Sequence, residues 1–226
     1  MFPNIKKESL LIICFGYRDW SRNIYKSLSE NPLLNRHSFV LINNKKLVDL
    51  DFITSMNPDL ILFYGWSDIV DVDIVERFCC LMLHPSPLPK YRGGSPIQNQ
   101  IIDGKKESEV CIFKMQRELD AGLVIKRAKL DLRGELKEIF HRIELLGIQL
   151  SLEFLTKGFD PKPQIGNPTF YKRRNKEDSE ITLKELKESS AEYLHNKIRM
   201  LNDPYPNAYI KCSDGKRLYI TKSSVE

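Results

Sequence analysis

The stretch Leu83-His84-Pro85-Ser86-Pro87-Leu88-Pro89-Lys90-Tyr91-Arg92-Gly93-Gly94 organises this chain. An apolar run from Cys79 to Leu83 comes directly before His84. Prolines then stiffen the backbone, because each one fixes φ and removes a hydrogen-bond donor. An Arg-Gly-Gly turn follows, and apolar periodicity resumes after Pro96. A rigid, histidine-bearing loop between a strand and a helix is a common place for chemistry in α/β proteins. The alternative is a proline-rich surface turn with an incidental histidine.

Strand and helix patterns alternate on both sides of this loop. Apolar runs typical of strands buried on both faces occur at residues 10–15, 39–42, 60–64 and 79–83. Helical patterns occur at residues 19–30, 47–56, 68–78 and 136–157, and shorter strands at 110–115 and 123–125. This order predicts an α/β fold with a Rossmann-like, mostly parallel sheet and helices on both faces. Since no Gly-x-Gly-x-x-Gly follows the first strand, a dinucleotide cofactor is not expected.

The chain changes character after the long helix. The polar segment 158–185 is predicted to be a linker that crosses over the domain. A helix at residues 189–201 and a hairpin around Ser213-Asp214-Gly215 are predicted to follow. We therefore expect one large domain over residues 1–160 and a linker, helix and hairpin extension over residues 161–226.

Composition narrows the class of protein. The 226 residues are 42% hydrophobic, as in ordinary soluble globular proteins, and contain no apolar run long enough to span a bilayer. The N-terminus lacks a secretory signal and the five cysteines lack metal-ligand spacing, so we expect a cytoplasmic protein with reduced thiols and no metal. The net charge of +5 is compatible with a phosphate-bearing ligand, but basic runs are also found on solvated faces and at nucleic-acid contacts.

Several motifs carry a resemblance to a known family. His84-Pro85-Ser86-Pro87-Leu88-Pro89 with Tyr91-Arg92-Gly93 resembles the loop of the folate-dependent formyltransferases, whose pattern is Asn-x-His-x-Ser-Leu-Leu-Pro with Arg-Gly nearby. Asp120-Ala121-Gly122 is similar to the family's Asp-x-Gly. Tyr171-Lys172-Arg173-Arg174 and Asp203-Pro204-Tyr205-Pro206-Asn207-Ala208 resemble the amino-sugar branch of this methionyl-tRNA formyltransferase-like family. The resemblance implies a formyltransferase fold whose catalytic domain is residues 1–160.

The resemblance also implies catalytic roles for His84 and Asp120. Formyl transfer from 10-formyltetrahydrofolate to an amine needs an oxyanion donor, a group that handles protons, and rigid positioning. An imidazole suits the first two roles, and a neighbouring carboxylate favours its protonated form. The family's Asn is Met82 here, and a thioether cannot donate a hydrogen bond. Another group therefore replaces that amide, or activity is reduced, or the chain is no longer a competent transferase.

Two further sets of residues follow from the resemblance. The predicted cofactor-binding residues, on the loops around the pterin, are Gly65, Trp66, Ser67, Ser86, Leu88, Arg117, Glu118 and Leu119. The predicted substrate-binding residues, where the acceptor would approach, are Arg92, Gly93, Gly94, Gln98, Tyr171, Lys172 and Arg173. Trp66 has an alternative role as a core or lid aromatic. Arg92 has an alternative role in bracing the loop through a carboxylate.

We therefore predict a cytoplasmic sugar N-formyltransferase that uses 10-formyltetrahydrofolate and a nucleotide-linked amino sugar, and binds neither nucleic acid nor membrane. A homodimer is one option for its assembly. About twenty residues follow Asn207, which is enough for a hairpin but not for the barrel domain of the tRNA enzymes. The alternatives are a methionyl-tRNA or purine-precursor formyltransferase, a formyl-folate hydrolase, and a catalytically impaired binding relative.

Overall fold

The computed structural model describes residues 2–5 and 9–226. Its strands are β1 (Leu11–Phe15), β2 (Ser38–Ile42), β3 (Leu60–Phe63), β4 (Cys80–His84), β5 (Arg92–Gly93), β6 (Glu107–Lys114), β7 (Val124–Asp131), β8 (Phe170–Tyr171), β9 (Ala208–Lys211) and β10 (Arg217–Ile220). Its α-helices are α1 (Asp19–Ser29), α2 (Leu50–Met56), α3 (Val72–Arg77), α4 (Pro96–Ile102), α5 (Leu136–Lys157), α6 (Leu183–Glu188) and α7 (Ala191–Arg199).

A six-stranded sheet in the order β2-β1-β3-β4-β6-β7 forms the centre of the fold. The first four of these strands are parallel, whereas β6 is antiparallel to both β4 and β7. The predicted Rossmann-like α/β fold with a mostly parallel sheet is therefore confirmed. Because parallel strands end at the same edge, the carboxyl ends of β1, β3 and β4 lie side by side, which is where open α/β sheets bind ligands.

Helices cover both faces of the sheet, as predicted. On one face, Ile12 of β1 and Leu81 of β4 share a core with residues of α1 and α5. On the other face, Ile13 packs with Ile53 of α2. Gly147 lets α5 approach closely, because a Cβ there would lie 2.5 Å from Cδ1 of Ile24 and 2.8 Å from that of Leu83. The long helix thus supports the strand that carries the histidine.

Residues 161–226 pack against the same core. Ile181, Ile198 and Met200 are buried in the hydrophobic cluster that contains β1 and β4 residues, and β9 and β10 form the predicted hairpin. The division at residue 160 stays a prediction, and the hydrophobic core continues across it.

Some predicted boundaries were wrong, and two of them have a clear local cause. The segment read as a linker up to residue 185 contains β8 and the start of α6. Helix α6 is additional to the predicted helix at residues 189–201, which is α7, and it begins after Thr182 because Thr182 and Glu185 form a reciprocal capping box. The helix predicted from residue 68 begins only at Val72, because the Asp71 side chain accepts a hydrogen bond from the Asp73 N–H at 2.9 Å and caps it there.

Helices in the described part of the chain lack the length and apolar character needed to cross a bilayer.

Candidate active site

His84 lies at the carboxyl end of β4 and is 5% exposed. Its Nε2 lies 2.9 Å from the carbonyl oxygen of Tyr91, and its ring makes a T-shaped contact with that of Phe113. Since a carbonyl only accepts hydrogen bonds, Nε2 must be the donor in this contact. Nδ1 is therefore the nitrogen that can gain or lose a proton.

Asp120 faces this nitrogen. Its Oδ2 lies 3.7 Å from Nδ1 of His84, and the two side chains are each 6% exposed. The same oxygen accepts a hydrogen bond of 2.7 Å from the Gly93 N–H. The predicted placement of His84 and Asp120 across one site is confirmed, while their catalytic roles stay predictions. The arrangement resembles an acid–base pair, in which the carboxylate stabilises an imidazolium.

The structure explains why glycine is needed at the end of Asp120-Ala121-Gly122. A Cβ on Gly122 would lie 1.6 Å from the carbonyl oxygen of Lys114. Close by, the N–H of Lys114 donates to the carbonyl of Leu123 at 2.8 Å, so the backbones of the two strands are in direct contact. Only a residue without a side chain allows the loop carrying Asp120 to leave the sheet at this point.

Buried hydrogen bonds stabilise the proline-rich loop. The Ser86 hydroxyl is fully buried and donates to the carbonyl of Lys90 at 2.8 Å. Gln100 of α4 donates to the carbonyl of Pro85 at 2.9 Å. Leu88 is buried in an apolar cluster that includes Phe113. The side chains of Ser86 and Leu88 therefore build the loop, and their predicted contact with a cofactor stays a prediction.

Met82 points to the same face of β4 as His84, because side chains two apart in a strand share a face. It is half-buried and packs against the cluster that contains Leu88 and Phe113. The residue in the family's Asn position thus lies next to the histidine and presents an apolar surface there.

Gln164 belongs to this site, although the sequence around it contains no motif or apolar pattern that would predict a functional residue. Its Nε2 donates to the carbonyls of Asp120 at 2.7 Å and Gly122 at 2.9 Å. Its Oε1 accepts hydrogen bonds from Arg92 at 3.2 Å and 2.8 Å. The residue lies in a polar segment without periodicity, so only the folded chain reveals it.

The region that contains His84 and Asp120 is similar to a known protein family. A family model described as Formyl transferase matches residues 13–139, which include both His84 and Asp120. This chain belongs to the formyl transferase family. The predicted resemblance to folate-dependent formyltransferases is confirmed at that level.

Two proteins that are similar to this chain are described as methionyl-tRNA formyltransferases. A methionyl-tRNA formyltransferase of Rickettsia massiliae is 33% identical over 172 residues, which cover 73% of this chain and 55% of the relative. The chain thus spans about half the length of the curated relatives it matches. The solved structure of a methionyl-tRNA formyltransferase from Clostridium thermocellum has a TM-score of 0.84 and 33% identity, over 96% of this chain and 93% of that one.

A solved sugar N-formyltransferase from a Shewanella species has a TM-score of 0.78 over 96% of this chain and 98% of that one. Its sequence identity is 16%, so this likeness shows the shared fold alone.

Six of the seven residues predicted to contact the acceptor lie on or beside β5 and β8, which pair in parallel, whereas Gln98 lies on α4. The pairing needs two glycines. A Cβ on Gly93 would lie 2.4 Å from the carbonyl oxygen of Tyr171, and one on Gly94 would lie 2.4 Å from Cα of Arg173. Lys172 and Arg173 are exposed beside them. The basic segment therefore runs along the edge of the histidine loop.

Two of these predicted acceptor residues, Tyr171 and Arg92, have structural contacts of their own, and a third, Gln98, is buried. The Tyr171 hydroxyl donates to Asp103 at 2.7 Å, and this bond raises the pKa of Tyr171. Arg92 is buried with its guanidinium bound to Glu118 and Gln164, which matches its alternative role in bracing the loop. Gln98 is 2% exposed, and its amide nitrogen has no hydrogen-bond partner among the described residues.

The predicted cofactor loops lie at two places. Arg117 and Glu118 line a cleft of about 600 Å³, together with Val75, Glu76, Lys114, Met115, Gln116 and Leu123. Leu119 beside them is 52% exposed. Gly65 and Trp66 follow β3, where Trp66 packs edge-on against Phe63 as expected for a core aromatic.

Charged side chains of both signs lie around Ser67 at this edge. Burial raises the pKa of Tyr17, but its hydrogen bond to Ser67 and the charges of Arg18, Lys45 and Arg173 outweigh burial and lower the pKa overall. Arg173 also donates to the carbonyl of Ser67. The carboxylate of Asp68 lies 2.6 Å from Nζ of Lys45 and 3.8 Å from Nη1 of Arg173, so it offsets part of this positive charge.

Proposed function

We propose that this protein is a folate-dependent N-formyltransferase that moves a formyl group from 10-formyltetrahydrofolate to the amine of a nucleotide-linked amino sugar. The observation that carries the proposal is the buried pair formed by His84 and Asp120, with 3.7 Å between Nδ1 and Oδ2. It lies at the carboxyl end of a parallel strand, the usual position of a ligand site in such sheets.

Each member of the pair has a definite proton task. Nε2 of His84 keeps its hydrogen because it donates to Tyr91, so Nδ1 takes the proton that the acceptor amine loses as its bond to the formyl carbon forms. Nδ1 returns this proton to the folate nitrogen when the bond between that nitrogen and the formyl carbon breaks. Asp120 stabilises the imidazolium that results, and the Gly93 N–H holds its carboxylate in place. The 3.7 Å separation exceeds a hydrogen bond, and such catalytic contacts often tighten when substrates bind.

The cleft lined by Arg117 and Glu118 is the proposed folate site. Its volume of about 600 Å³ is in the range of small-molecule sites. Val75 and Leu123 supply apolar wall, and the segment of Arg117 and Glu118 supplies backbone groups and charge. When bound, 10-formyltetrahydrofolate supplies an activated formyl group. The chain's own residues supply the orientation and the proton transfer.

A nucleotide-linked amino sugar is the acceptor that we favour. The exposed cations Lys172 and Arg173 adjoin Gly93 and Gly94, the loop segment next to Asp120. A diphosphate needs only a few such cations. The net charge of +5 is small for a protein that must neutralise many tRNA phosphates.

Methionyl-tRNA is the second candidate acceptor, and the relatives favour it. The Clostridium thermocellum structure shares 33% identity with this chain and is covered over 93% of its length. A solved chain of comparable length is thus described as a methionyl-tRNA formyltransferase. Chain length therefore does not distinguish a sugar acceptor from a methionyl-tRNA acceptor.

The deciding experiment offers both acceptors to the same preparation. The protein is mixed with 10-formyltetrahydrofolate and either charged initiator tRNA or a panel of nucleotide amino sugars, and products are identified by mass spectrometry. We expect a formylated sugar that is lost in the His84→Ala variant. Formylated methionyl-tRNA without formylated sugar would reject the sugar in favour of the second candidate. Absence of product from both acceptors would overturn the transferase proposal.

A further inference from the structure

We infer that Gln164 is a positioning residue, which holds Asp120 in the orientation that faces His84. The structural statement, that Gln164 fixes the Asp120 loop, rests on the hydrogen bonds of Gln164. The expected effect on catalysis rests on the proposed transferase function. Gln164 lies outside the region 13–139 matched by the family model, on the segment that connects the long helix to β8.

The segment before Gln164 is docked onto the sheet. The backbone of Lys162 exchanges two hydrogen bonds with Val124 at the start of β7, each 2.8 Å long. This antiparallel bridge brings the polar segment alongside the Asp120 loop. Gln164 is thereby placed by main-chain contacts that do not depend on its own side chain.

The amide nitrogen of Gln164 spans the Asp-x-Gly motif. It donates to the carbonyl of Asp120 at 2.7 Å and to that of Gly122 at 2.9 Å. A primary amide has two hydrogens to donate, so both are used on this loop. The two bonds fix the peptide unit that joins Asp120 to Ala121 and the one that joins Gly122 to Leu123.

The amide oxygen of Gln164 links this loop to the opposite side of the site. It accepts hydrogen bonds of 3.2 Å and 2.8 Å from Arg92, which is buried. Arg92 precedes Gly93, whose N–H holds the carboxylate of Asp120 at 2.7 Å. Gln164 therefore ties the backbone of Asp120 to the strand segment that holds its side chain.

Asp120 needs such support because of its backbone conformation. Its φ of 51° is in the left-handed region, which is uncommon for a residue with a side chain, although Asp adopts it more often than most. Such conformations persist only where neighbours over-determine them. Loss of the Gln164 bonds would let Asp120 relax, and its carboxylate would then leave the Gly93 N–H and Nδ1 of His84.

Two substitutions separate the halves of this contact. Gln164→Ala removes both the donor and the acceptor. Gln164→Glu keeps the shape and still accepts from Arg92, but it has no hydrogen for the two carbonyls, so it stays informative if the alanine variant is unstable. Gln149→Glu, at an exposed position of α5, is the matched control for the same chemical change.

The measurement is the amide resonance of Gly93 in 1H–15N spectra, with its hydrogen-exchange protection. Asp120→Ala, which removes the acceptor, defines the unbonded reference. We expect the Gly93 signal of both Gln164 variants to move toward this reference and lose protection, and that of Gln149→Glu to match wild type. We also expect kcat to fall by about 10- to 100-fold, with KM for 10-formyltetrahydrofolate unchanged.

A Gly93 signal that keeps its wild-type position and protection in both Gln164 variants would overturn the inference. So would a loss that falls on KM alone. The amide measurement needs no turnover. If the wild-type protein transfers no formyl group, the proposed function fails, while the Gly93 signal still decides whether Gln164 positions Asp120.

Discussion

Replacing Gly122 with alanine tests the geometry of the site most directly. The added methyl group would lie 1.6 Å from the carbonyl oxygen of Lys114, whereas real Cβ contacts are almost never shorter than 3.0 Å. The two groups must therefore separate by about 1.4 Å. Lys114 belongs to the paired strand β6, so we expect the loop that carries Asp120 to move.

The cost of that movement follows from the bonds that end on the loop. A shift of this size breaks the 2.7 Å contact between Asp120 and the Gly93 N–H and the bonds from Gln164. A misplacement of about 1 Å at a reacting group can lower the rate about 100-fold. We expect at least that loss in kcat. We also expect a decrease of about 1–3 kcal/mol in the free energy of unfolding, as for other overpacked sites.

The assay compares Gly122→Ala with Gly215→Ala. Gly215 lies in the distal hairpin with a positive φ of 79° and no atom within 4 Å of an added Cβ, so its substitution introduces backbone strain without a clash at the site. Initial rates of formyl transfer are measured with the acceptor that the wild type uses, and stability by urea unfolding. Wild-type rate and stability in Gly122→Ala would refute the argument, because the loop would then absorb the methyl group without moving Asp120.

His84→Ala removes the nitrogen that takes up the proton, so we expect formyl transfer to fall by about 10²- to 10⁴-fold with an unchanged circular dichroism spectrum; a rate near wild type would contradict its role. Met82→Asn restores an amide beside His84, and we expect kcat to rise by up to about 100-fold, whereas a large loss would show that Met82 is a fitted part of the site. Lys197→Met leaves the carboxylate of Glu185 half-buried without the ammonium that now binds both its oxygens at 2.7 and 2.8 Å, so urea unfolding should show a loss of about 3 kcal/mol. Burial raises the pKa of Glu185, but the hydrogen bond and charge of Lys197 outweigh it and lower the pKa overall. The pair therefore stabilises the fold above about pH 4.3, the unfolded value, and this contribution is lost as pH falls through the folded pKa; equal acid sensitivity of wild type and Lys197→Met would contradict this.

The sequence predicted the central elements because their burial leaves a local pattern. Strands covered on both faces are apolar at every position, and β1 and β3 were identified on that basis. The long helix α5 was predicted with the bounds observed, residues 136–157, because an amphipathic face over six turns is a strong signal.

Elements without an apolar pattern were missed or shortened. Helix α6 buries none of its own residues and is stabilised instead by its capping box and by the bond from Lys197 to Glu185. Strand β7 was predicted only to residue 125, because its later positions alternate with exposed lysine and arginine. The pairing of β5 with β8 joins residues far apart in the chain, and two-residue strands carry no periodicity.

The sequence by itself determined the chemistry that is available: a histidine after an apolar strand, a proline-stiffened loop, and an Asp-x-Gly motif. These are properties of short stretches, set by side-chain identity and by the local limits on φ. Only the tertiary structure decided that Nδ1 of His84 faces Asp120, that Arg92 is buried as a brace, and that Gln164 holds the loop. Those outcomes depend on distances between segments that are remote in the chain, and such distances are fixed only when the sheet and its crossing segments pack together.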